Sequence, residues 1–391
     1  MSSPSTLVGR SSTTSRRSAP GRSRRLRTAA AVVAGSLALA LSGCGLEAPA
    51  ADGTGGAENA GTVAPPLADV DPLSDVRDWT GAATAVTDPA GVDPVAEAPA
   101  PDLPVTVTDS QGTEVTVDDV SRILALDVYG TLSRTVYELG LGDNLVGRDV
   151  STQFAPADEL PLVTQNGHDL NAEAILDLDP SVILTDTSLG PWDVVLQMRD
   201  AGIPVVVVDS RRALDNVTEL TEQVAVALGV PDQGAELAER IENEVDQVAR
   251  QIAEVAPTDQ TEQLRTVFLY VRGQAGVYYL FGEESGADAL IEALGLYDVA
   301  DEIDWSGMKP VTDEAIVAAQ PELVLMMSKG LDSAGGVDGL LERLPALANT
   351  PAGDNERFVD MSDAEILGYG PDTADVLNAL AVAIYAPDAV S

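Results

Sequence analysis

A repeated stretch constrains the fold of this chain more than any other feature of the sequence. The residues from Asn171 to Thr187 align without gaps on those from Thr312 to Ser328, 141 positions later. A glutamate, an alanine, an isoleucine and a proline recur in register. In each copy a polar residue is placed to cap a short helix, the proline ends that helix, and an apolar run follows as a buried strand. The repeat therefore predicts two similar α/β lobes.

The stretch between the two copies predicts one long helix. Its apolar residues share one helical face: Leu237, Ile241, Val245, Val248, Ile252 and Val255. Roughly 23 residues at about 1.5 Å each give a rod about 35 Å long. Strands and helices alternate on both sides of it, which predicts an α/β fold of two lobes, with mainly parallel central sheets, joined by one long helix. A cleft between two such lobes is a usual place for a small ligand.

The N-terminus has the pattern of an export signal. Residues 1–28 carry seven arginines and no acid, and an almost wholly apolar run follows from Ala29 to Leu41. This run reaches only about 20 Å as a helix, short of the roughly 30 Å hydrocarbon core of a membrane. A basic stretch before a short apolar one is typical of a cleaved signal. The sequence Leu41-Ser42-Gly43-Cys44 resembles a bacterial lipobox, which implies cleavage before Cys44 and a lipid on its thiol; the alternative is a plain secretory signal.

Composition sets the remaining boundaries. The stretch after Cys44 is rich in Ala, Gly, Pro, Asp and Thr, which is typical of a flexible tether. The composition changes after Pro104, where the sequence predicts a hairpin of strands 105–108 and 114–117, a buried strand at 123–126 and a helix at 131–141. The predicted organisation is a signal peptide (1–43), a lipidated cysteine with a flexible linker (44–103), an N-terminal lobe (104–230), a connecting helix (231–257) and a C-terminal lobe (258–391).

Charge and the scarcity of two residue types exclude several functions. The chain has 63 acidic and 22 basic residues, a net charge of −41, which becomes 15 − 63 = −48 once residues 1–43 are removed. A field of this sign opposes binding to nucleic acid and to anionic lipid headgroups, so membrane attachment depends on the lipid. One cysteine and one histidine exclude an internal disulfide and any zinc or iron site built from several His and Cys ligands.

Several stretches, together with the two-lobe plan and the export signal, resemble a known family. They resemble the substrate-binding proteins of ABC importers for iron chelates, cobalamin and haem, and among these the haem-binding lipoproteins of bacterial haem importers. The likeness covers roughly residues 70–387, and the combination of one His, a Tyr-x-Arg and GVDGLL is its most discriminating part. The stretches are Asp143–Val150, Gly167–Leu176, Thr185–Val194, Phe268–Leu280, Ser285–Leu296, Gly335–Glu342 and Gly368–Asp372.

The resemblance implies a class III substrate-binding fold that carries haem b, with His168 and Tyr270 as axial iron ligands and Arg272 supporting the tyrosine. The chemistry is reasonable, because a neutral imidazole is a good ligand for iron. A phenol, with a pKa near 10, needs the charge of the metal and a nearby cation to bind as phenolate. Residues two apart on a strand share a face, so Arg272 can lie beside Tyr270. Without the resemblance, a solvated histidine and a core tyrosine remain open alternatives.

Further residues are candidates for the pocket and for a partner. Tyr278, Tyr279, Met308 and Met327 could pack on the porphyrin or be ordinary core or rim residues. Lys309 matches His168 by the repeat, so we expect both to face the cleft. The propionates of haem need a cation, for which the sequence does not choose among Arg134, Arg148, Lys309 and Lys329. Related proteins dock on their permease through one exposed carboxylate per lobe, for which Glu138 and Glu292 are candidates.

The sequence thus predicts an exported protein, held by lipid on the outer face of the cytoplasmic membrane, that hands haem to the permease and ATPase of an ABC importer. Surface haem-binding proteins are candidate donors. No enzyme is predicted, since the chain has no G-x-S-x-G, no phosphate loop and no second histidine. Three alternatives stay open: a ferric-siderophore or cobalamin carrier, an exported enzyme that uses Asp127 or Asp186, and a structural surface protein.

Overall fold

The computed structural model describes residues 61–390, so the predicted signal peptide and Cys44 lie outside the described residues. Within that part, no helix combines the length and the apolar character needed to cross a bilayer. The strands are β1 Ala83–Ala85, β2 Val105–Thr108, β3 Glu114–Val117, β4 Ile123–Leu126, β5 Thr164–Gln165, β6 Asp169–Leu170, β7 Val182–Thr185, β8 Val205–Val207, β9 Arg265–Arg272, β10 Val277–Phe281, β11 Tyr297–Asp298, β12 Met308–Pro310, β13 Leu323–Met327 and β14 Phe358–Met361.

Helices alternate with these strands along most of the described chain, as the sequence predicts. The helices are α1 Thr131–Val136, α2 Ala172–Asp177, α3 Trp192–Asp200, α4 Val217–Ala227, α5 Pro231–Val255, α6 Ala287–Ala293, α7 Val299–Glu302, α8 Asp313–Ala319, α9 Ser328–Ala334, α10 Gly336–Arg343, α11 Pro351–Asp354 and α12 Thr373–Tyr385.

The N-terminal lobe is built on a parallel sheet in the order β4-β7-β8, beside the antiparallel hairpin β2–β3. Alternate residues of its strands enter two separate apolar clusters, one on each face of the sheet. Leu124 and Ile183 lie on one face, whereas Ile123 and Leu184 lie on the other. Burial on both faces explains why these strands read as continuous apolar runs.

The C-terminal lobe has a seven-stranded sheet in the order β1-β14-β13-β9-β10-β12, with β11 on β9. Strands β14, β13 and β9 run parallel, and β10 and β12 are antiparallel to their neighbours. Phe268 and Leu325 enter one apolar cluster, which we call the α12 face because this helix supplies much of it. Val267 and Val324 enter the other cluster, which we call the α10 face.

The long helix α5 joins the cores of the two lobes. It begins with Pro231 at its first position, where the missing N–H costs nothing. Leu237 and Ile241 are buried in the N-terminal lobe, whereas Ile252 is buried in the C-terminal lobe. Val245, between them, packs against both cores. The predicted apolar face therefore exists and is divided between two cores, which confirms the predicted two-lobe architecture.

Residues 61–103, which the sequence assigned to a flexible linker, pack on both lobes. Strand β1 pairs in parallel with β14, and Val95 donates its backbone N–H to the carbonyl of Glu138 in the N-terminal lobe. Arg77 reaches Glu322 at 2.9 Å, and the buried Arg357 donates to the carbonyls of Val76 and Trp79. The segment also buries Leu67, Val76, Ala83 and Ala85 in the core of the α12 face. These few apolar residues are scattered among small and polar ones, so they form no helix or strand period that the sequence could reveal.

The predicted helix 131–141 is shorter than expected. Helix α1 ends at Val136, and the chain continues as a wider turn to Leu141. Gly140 has a φ of 85°, and a Cβ there would come within 2.1 Å of the carbonyl oxygen of Ala96. The close approach of residues 88–103 therefore requires glycine at this point, and its left-handed backbone ends the regular helix.

Candidate functional site

Tyr270 and Arg272 lie near the carboxyl end of β9, a central strand of the C-terminal sheet. Both project from the α12 face, because they are two and four residues beyond Phe268. The guanidinium carbon of Arg272 lies 4.4 Å from the ring centre of Tyr270. The predicted pairing of these side chains is therefore present, as a stacked arrangement over the phenol ring.

Asp363, which sequence reasoning missed, holds Arg272 in this position. It follows β14, and its Oδ2 accepts a hydrogen bond from Nη2 of Arg272 at 3.1 Å. Its Oδ1 accepts the backbone N–H of Lys329 at 3.0 Å, at the start of α9. One carboxylate therefore links the ends of β9, β13 and β14. No local signal could have identified it, since Asp363 is 91 residues from Arg272 along the chain.

Three of the four predicted packing residues share the α12 face with Tyr270. Tyr279 of β10 pairs directly with Tyr270 of β9, and on its other side it pairs with Pro310 of β12. Met308 lies two residues before Pro310 on β12, so its side chain is on the same face of the sheet. Met327 ends β13 on the other side of Tyr270 and packs against the same cluster. Met308 is 55% exposed. These side chains form an apolar stripe across four neighbouring strands.

Tyr278 and Lys309 project from the opposite face of the sheet. Tyr278 packs against the α10 cluster. Lys309 pairs with Leu280, a member of that cluster, and its Nζ lies 5.6 Å from the ring centre of Trp305. The expectation that Lys309 faces the cleft as His168 does is wrong for this reason. The repeat matches the two positions in sequence, but Lys309 belongs to an antiparallel strand whose alternation turns its side chain away.

His168 lies at the tip of the hairpin formed by β5 and β6 in the N-terminal lobe, directly before helix α2. The side chain is exposed. Leu170, at the end of the hairpin, donates its N–H to the carbonyl of Gly190, which fixes the hairpin on the loop that follows β7. Asn171 then caps α2 by accepting the N–H groups of Glu173 and Ala174.

Charged groups of the C-terminal lobe act on the imidazole of His168. Partial removal from water lowers the pKa of His168 below its usual value of 6.5, and the charges of Arg272 and Lys329 lower it further. The carboxylates of Asp363 and Asp169 act in the other direction. Three of these four groups belong to the C-terminal lobe, so the imidazole lies within electrostatic range of the charged groups around Tyr270. At neutral pH the imidazole is neutral and able to ligate a metal.

Arg148, another candidate cation, is used within its own loop. Its Nη1 donates to the carbonyls of Asp149 and Thr152, each at 3.3 Å. Asp149 is fully buried and accepts the backbone N–H groups of Ser151 and Thr152, each at 2.8 Å. These bonds stabilise the turn after Arg148 and direct its guanidinium toward backbone oxygens.

The aspartates proposed for an enzyme are structural. Asp127 and Asp186 follow β4 and β7, and both are fully buried. Nη2 of Arg212 bonds to Asp127 at 3.0 Å and to Asp186 at 2.8 Å. Burial raises the pKa of Asp127 to about 6, against the attraction of Arg212. Nothing in the sequence identified Arg212 as their partner, because it is 85 residues from Asp127 and 26 from Asp186 along the chain.

The two predicted docking carboxylates differ in exposure. Glu138 is 3% exposed and pairs with Arg134 at 3.1 Å and with Arg240 of α5, so it is not the exposed acid that was expected. The prediction that Glu138 is exposed is wrong because Arg240, which is distant in the sequence, packs on the Glu138 carboxylate. Glu292 is exposed on α6, as the prediction requires.

A cavity of about 580 Å³ lies elsewhere, between β8 and α4 of the N-terminal lobe. Glu219, Glu222 and Asp209 are among its lining residues. No candidate site residue lines this cavity, and its acidic side chains would repel a ligand that carries carboxylates.

Comparison with known proteins gives a consistent result. The family model described as periplasmic binding protein matches residues 128–365, more than half of the chain. The crystal structure of the heme-binding protein HmuT is 40% identical, with a TM-score of 0.75, over 80% of this chain and 99% of its own. The periplasmic heme-binding protein RhuT of Roseiflexus sp. RS-1 is 34% identical, with a TM-score of 0.62, over 70% and 100%.

A relative found by sequence comparison is also a substrate-binding protein. It is an uncharacterized ABC transporter substrate-binding lipoprotein, YvrC of Bacillus subtilis, 25% identical over 73% of this chain and 87% of its own length. The two-lobe fold, the α5 connection and these matches all indicate the same family. The chain belongs to the periplasmic binding protein family.

Proposed function

We propose that this protein captures haem between its two lobes and delivers it to the permease and ATPase of an ABC importer. The observation that carries the proposal is the guanidinium of Arg272 stacked over the ring of Tyr270, and the effect of its charge on His168 of the other lobe supports it. Two groups that ligate ferric iron then come from different lobes. Haem b is the cargo and leaves unchanged, so the proposal includes no reaction on the ligand.

The two halves of the site suit axial ligation. His168 keeps its imidazole neutral at pH 7, because its pKa is lowered. On the other side, Arg272 supplies positive charge beside the phenol and, because a guanidinium keeps its proton, it does not compete with iron for one. Ligands from opposite lobes would contact opposite faces of one planar ligand.

The surface around Tyr270 suits a large flat apolar ligand. Tyr279, Met308 and Met327 share its face of the sheet. Thioether side chains adapt to irregular apolar surfaces, and the side chain of Met308 is exposed. Haem would cover this stripe and so bury apolar area.

The location and partners belong to the same proposal. We infer that Cys44 carries the lipid that holds the protein at the outer face of the cytoplasmic membrane; the name of the Bacillus relative, a lipoprotein, supports this. Glu292, exposed on α6, is the proposed docking carboxylate of the C-terminal lobe. Surface haem-binding proteins are the proposed donors.

Titration of the purified protein with hemin and, separately, with cyanocobalamin and a ferric siderophore tests the proposal. We expect a Soret band with hemin that shifts in His168→Ala and in Tyr270→Phe, and no saturable binding of the other two ligands. Tyr279→Phe is the matched control and should leave the band in place. Saturable binding of cobalamin or siderophore without a hemin spectrum would contradict the proposal and favour the alternative carrier.

A further inference from the structure

The proposed ligand carries two carboxylates into a protein with a net charge of −41. A local cation must offset the repulsion, and the described part of the chain offers few that are free to do so. Arg134 and Arg212 are buried in ion pairs, with 10% and 2% of their side-chain surfaces exposed. Arg148 donates to carbonyls of its own loop, and Arg272 is paired with Asp363. None of these four can turn to a ligand without losing a partner.

The two lysines of the chain differ in whether the ammonium group already has a partner. Lys309 lies on the α10 face, where its Nζ is 3.3 Å from the hydroxyl of Ser306 and over the ring of Trp305. Lys329 is exposed at the first turn of α9, directly after β13. Among residues 61–390 its ammonium group has no hydrogen bond or ion pair.

Lys329 is also next to the site. Its backbone N–H bonds to Asp363 at 3.0 Å, and the other oxygen of Asp363 bonds to Arg272 at 3.1 Å. Its charge acts on His168 in the opposite lobe. The backbone of Lys329 is therefore fixed beside Arg272 and Asp363, and its charge acts within range of His168 from an exposed, flexible stem that can follow a carboxylate.

We propose that Lys329 binds a carboxylate of the ligand and so selects a porphyrin with free propionates over one without them. This inference rests on the proposed haem-binding function and adds the residue that recognises the acidic edge of the ligand. Lys329 acts as a specificity-determining residue and takes no part in iron ligation.

The experiment compares hemin with hemin dimethyl ester, in which both carboxylates are masked. Each is titrated, in the same solvent, against the wild-type protein, Lys329→Met and the matched control Lys309→Met. Methionine keeps most of the apolar stem and removes the charge. Because a partly exposed ion pair is weak, we expect Lys329→Met to weaken hemin binding by about three- to fivefold. Binding of the ester should change by less than about twofold, and Lys309→Met should alter neither.

Two results would overturn the inference while leaving the proposed function intact. One is equal weakening of hemin and ester by Lys329→Met, which would indicate a general effect on the cleft. The other is unchanged hemin binding in that variant. A wild-type protein that gives no Soret band with either ligand would contradict the haem proposal itself.

Discussion

Each lobe places an arginine over a tyrosine ring at the carboxyl edge of its parallel strands, yet the two arginines differ in exposure. In the N-terminal lobe, Arg212 lies 5.2 Å from the ring centre of Tyr129. In the C-terminal lobe, Arg272 lies 4.4 Å from that of Tyr270. The Arg212 side chain is 2% exposed and the Arg272 side chain 35%. A similar contact is therefore buried in the N-terminal lobe and partly exposed in the C-terminal lobe.

The acidic partners explain the difference. Arg212 sits between Asp127 and Asp186, both with fully buried side chains, so a cation there is required to hold two carboxylates. Arg272 has one partner, Asp363, whose side chain is 15% exposed. The two similar edges therefore differ: the first stabilises its lobe, whereas the second leaves Arg272 and Tyr270 partly exposed, as the proposed haem site requires.

The largest expected effect comes from replacing Arg212, the buried arginine of the two. Arg212→Met leaves Asp127 and Asp186 buried without a cation, which should lower the free energy of unfolding by about 3–5 kcal/mol. Arg272→Met is the matched control and, being partly exposed, should lower it by less than about 1 kcal/mol. Denaturant unfolding followed by circular dichroism measures both. Similar losses in the two variants would show that the lobes do not differ in this way.

The next largest effect comes from replacing Tyr270, whose arginine partner is partly exposed. Tyr270→Phe removes the phenol oxygen and keeps the ring under Arg272, so we expect hemin affinity to fall by roughly a hundredfold or more, above the usual effect of outer-shell partners of a metal. Tyr279→Phe, on the paired strand, should change it by less than about threefold. Absorbance titration gives both values. If the two variants weaken binding equally, Tyr270 has no special role.

Asp363→Ala should have a smaller effect, about tenfold on hemin affinity, because it acts through the orientation of Arg272. Its effect should therefore disappear when Arg272 is already alanine. Asp332→Ala, an exposed acid on the same helix α9, is the control. Full additivity of Asp363→Ala and Arg272→Ala would contradict a positioning role.

The smallest expected effect is on the pH dependence of binding. Protonation of His168 competes with iron, so hemin affinity should weaken as pH falls through the pKa of His168, which lies below 6.5. Lys329→Met removes a positive charge and should move this acid limb to higher pH, whereas Asp169→Asn removes a negative charge and should move it to lower pH. Shifts in the same direction, or an unchanged acid limb in His168→Ala, would contradict this assignment.

Much of the fold could be predicted from the sequence, because it depends on local patterns. The predicted strands at 105–108, 114–117 and 123–126 coincide with β2, β3 and β4. The apolar face of α5 and the two-lobe plan follow from periodicity and from the repeat. Strand β1 was missed because small residues paired by backbone hydrogen bonds leave no apolar pattern.

The candidate site was predictable only where neighbours in sequence are neighbours in space. The pairing of Tyr270 with Arg272 needs no more than strand alternation. Asp363 and Arg212 depend on contacts between distant strands, which no spacing reveals. Lys309 was assigned to the wrong side because the repeat predicts position and not the direction in which a strand pairs.

The central claim is that one iron receives a ligand from each lobe, His168 from one and Tyr270 from the other. Electron paramagnetic resonance of the ferric complex tests it most directly, with wild-type protein, His168→Ala, Tyr270→Phe and the double variant. The account predicts that each single variant changes the coordination spectrum in its own way and that the double variant loses specific binding. A wild-type spectrum in either single variant would show that the replaced group is not a ligand, and would contradict the claim.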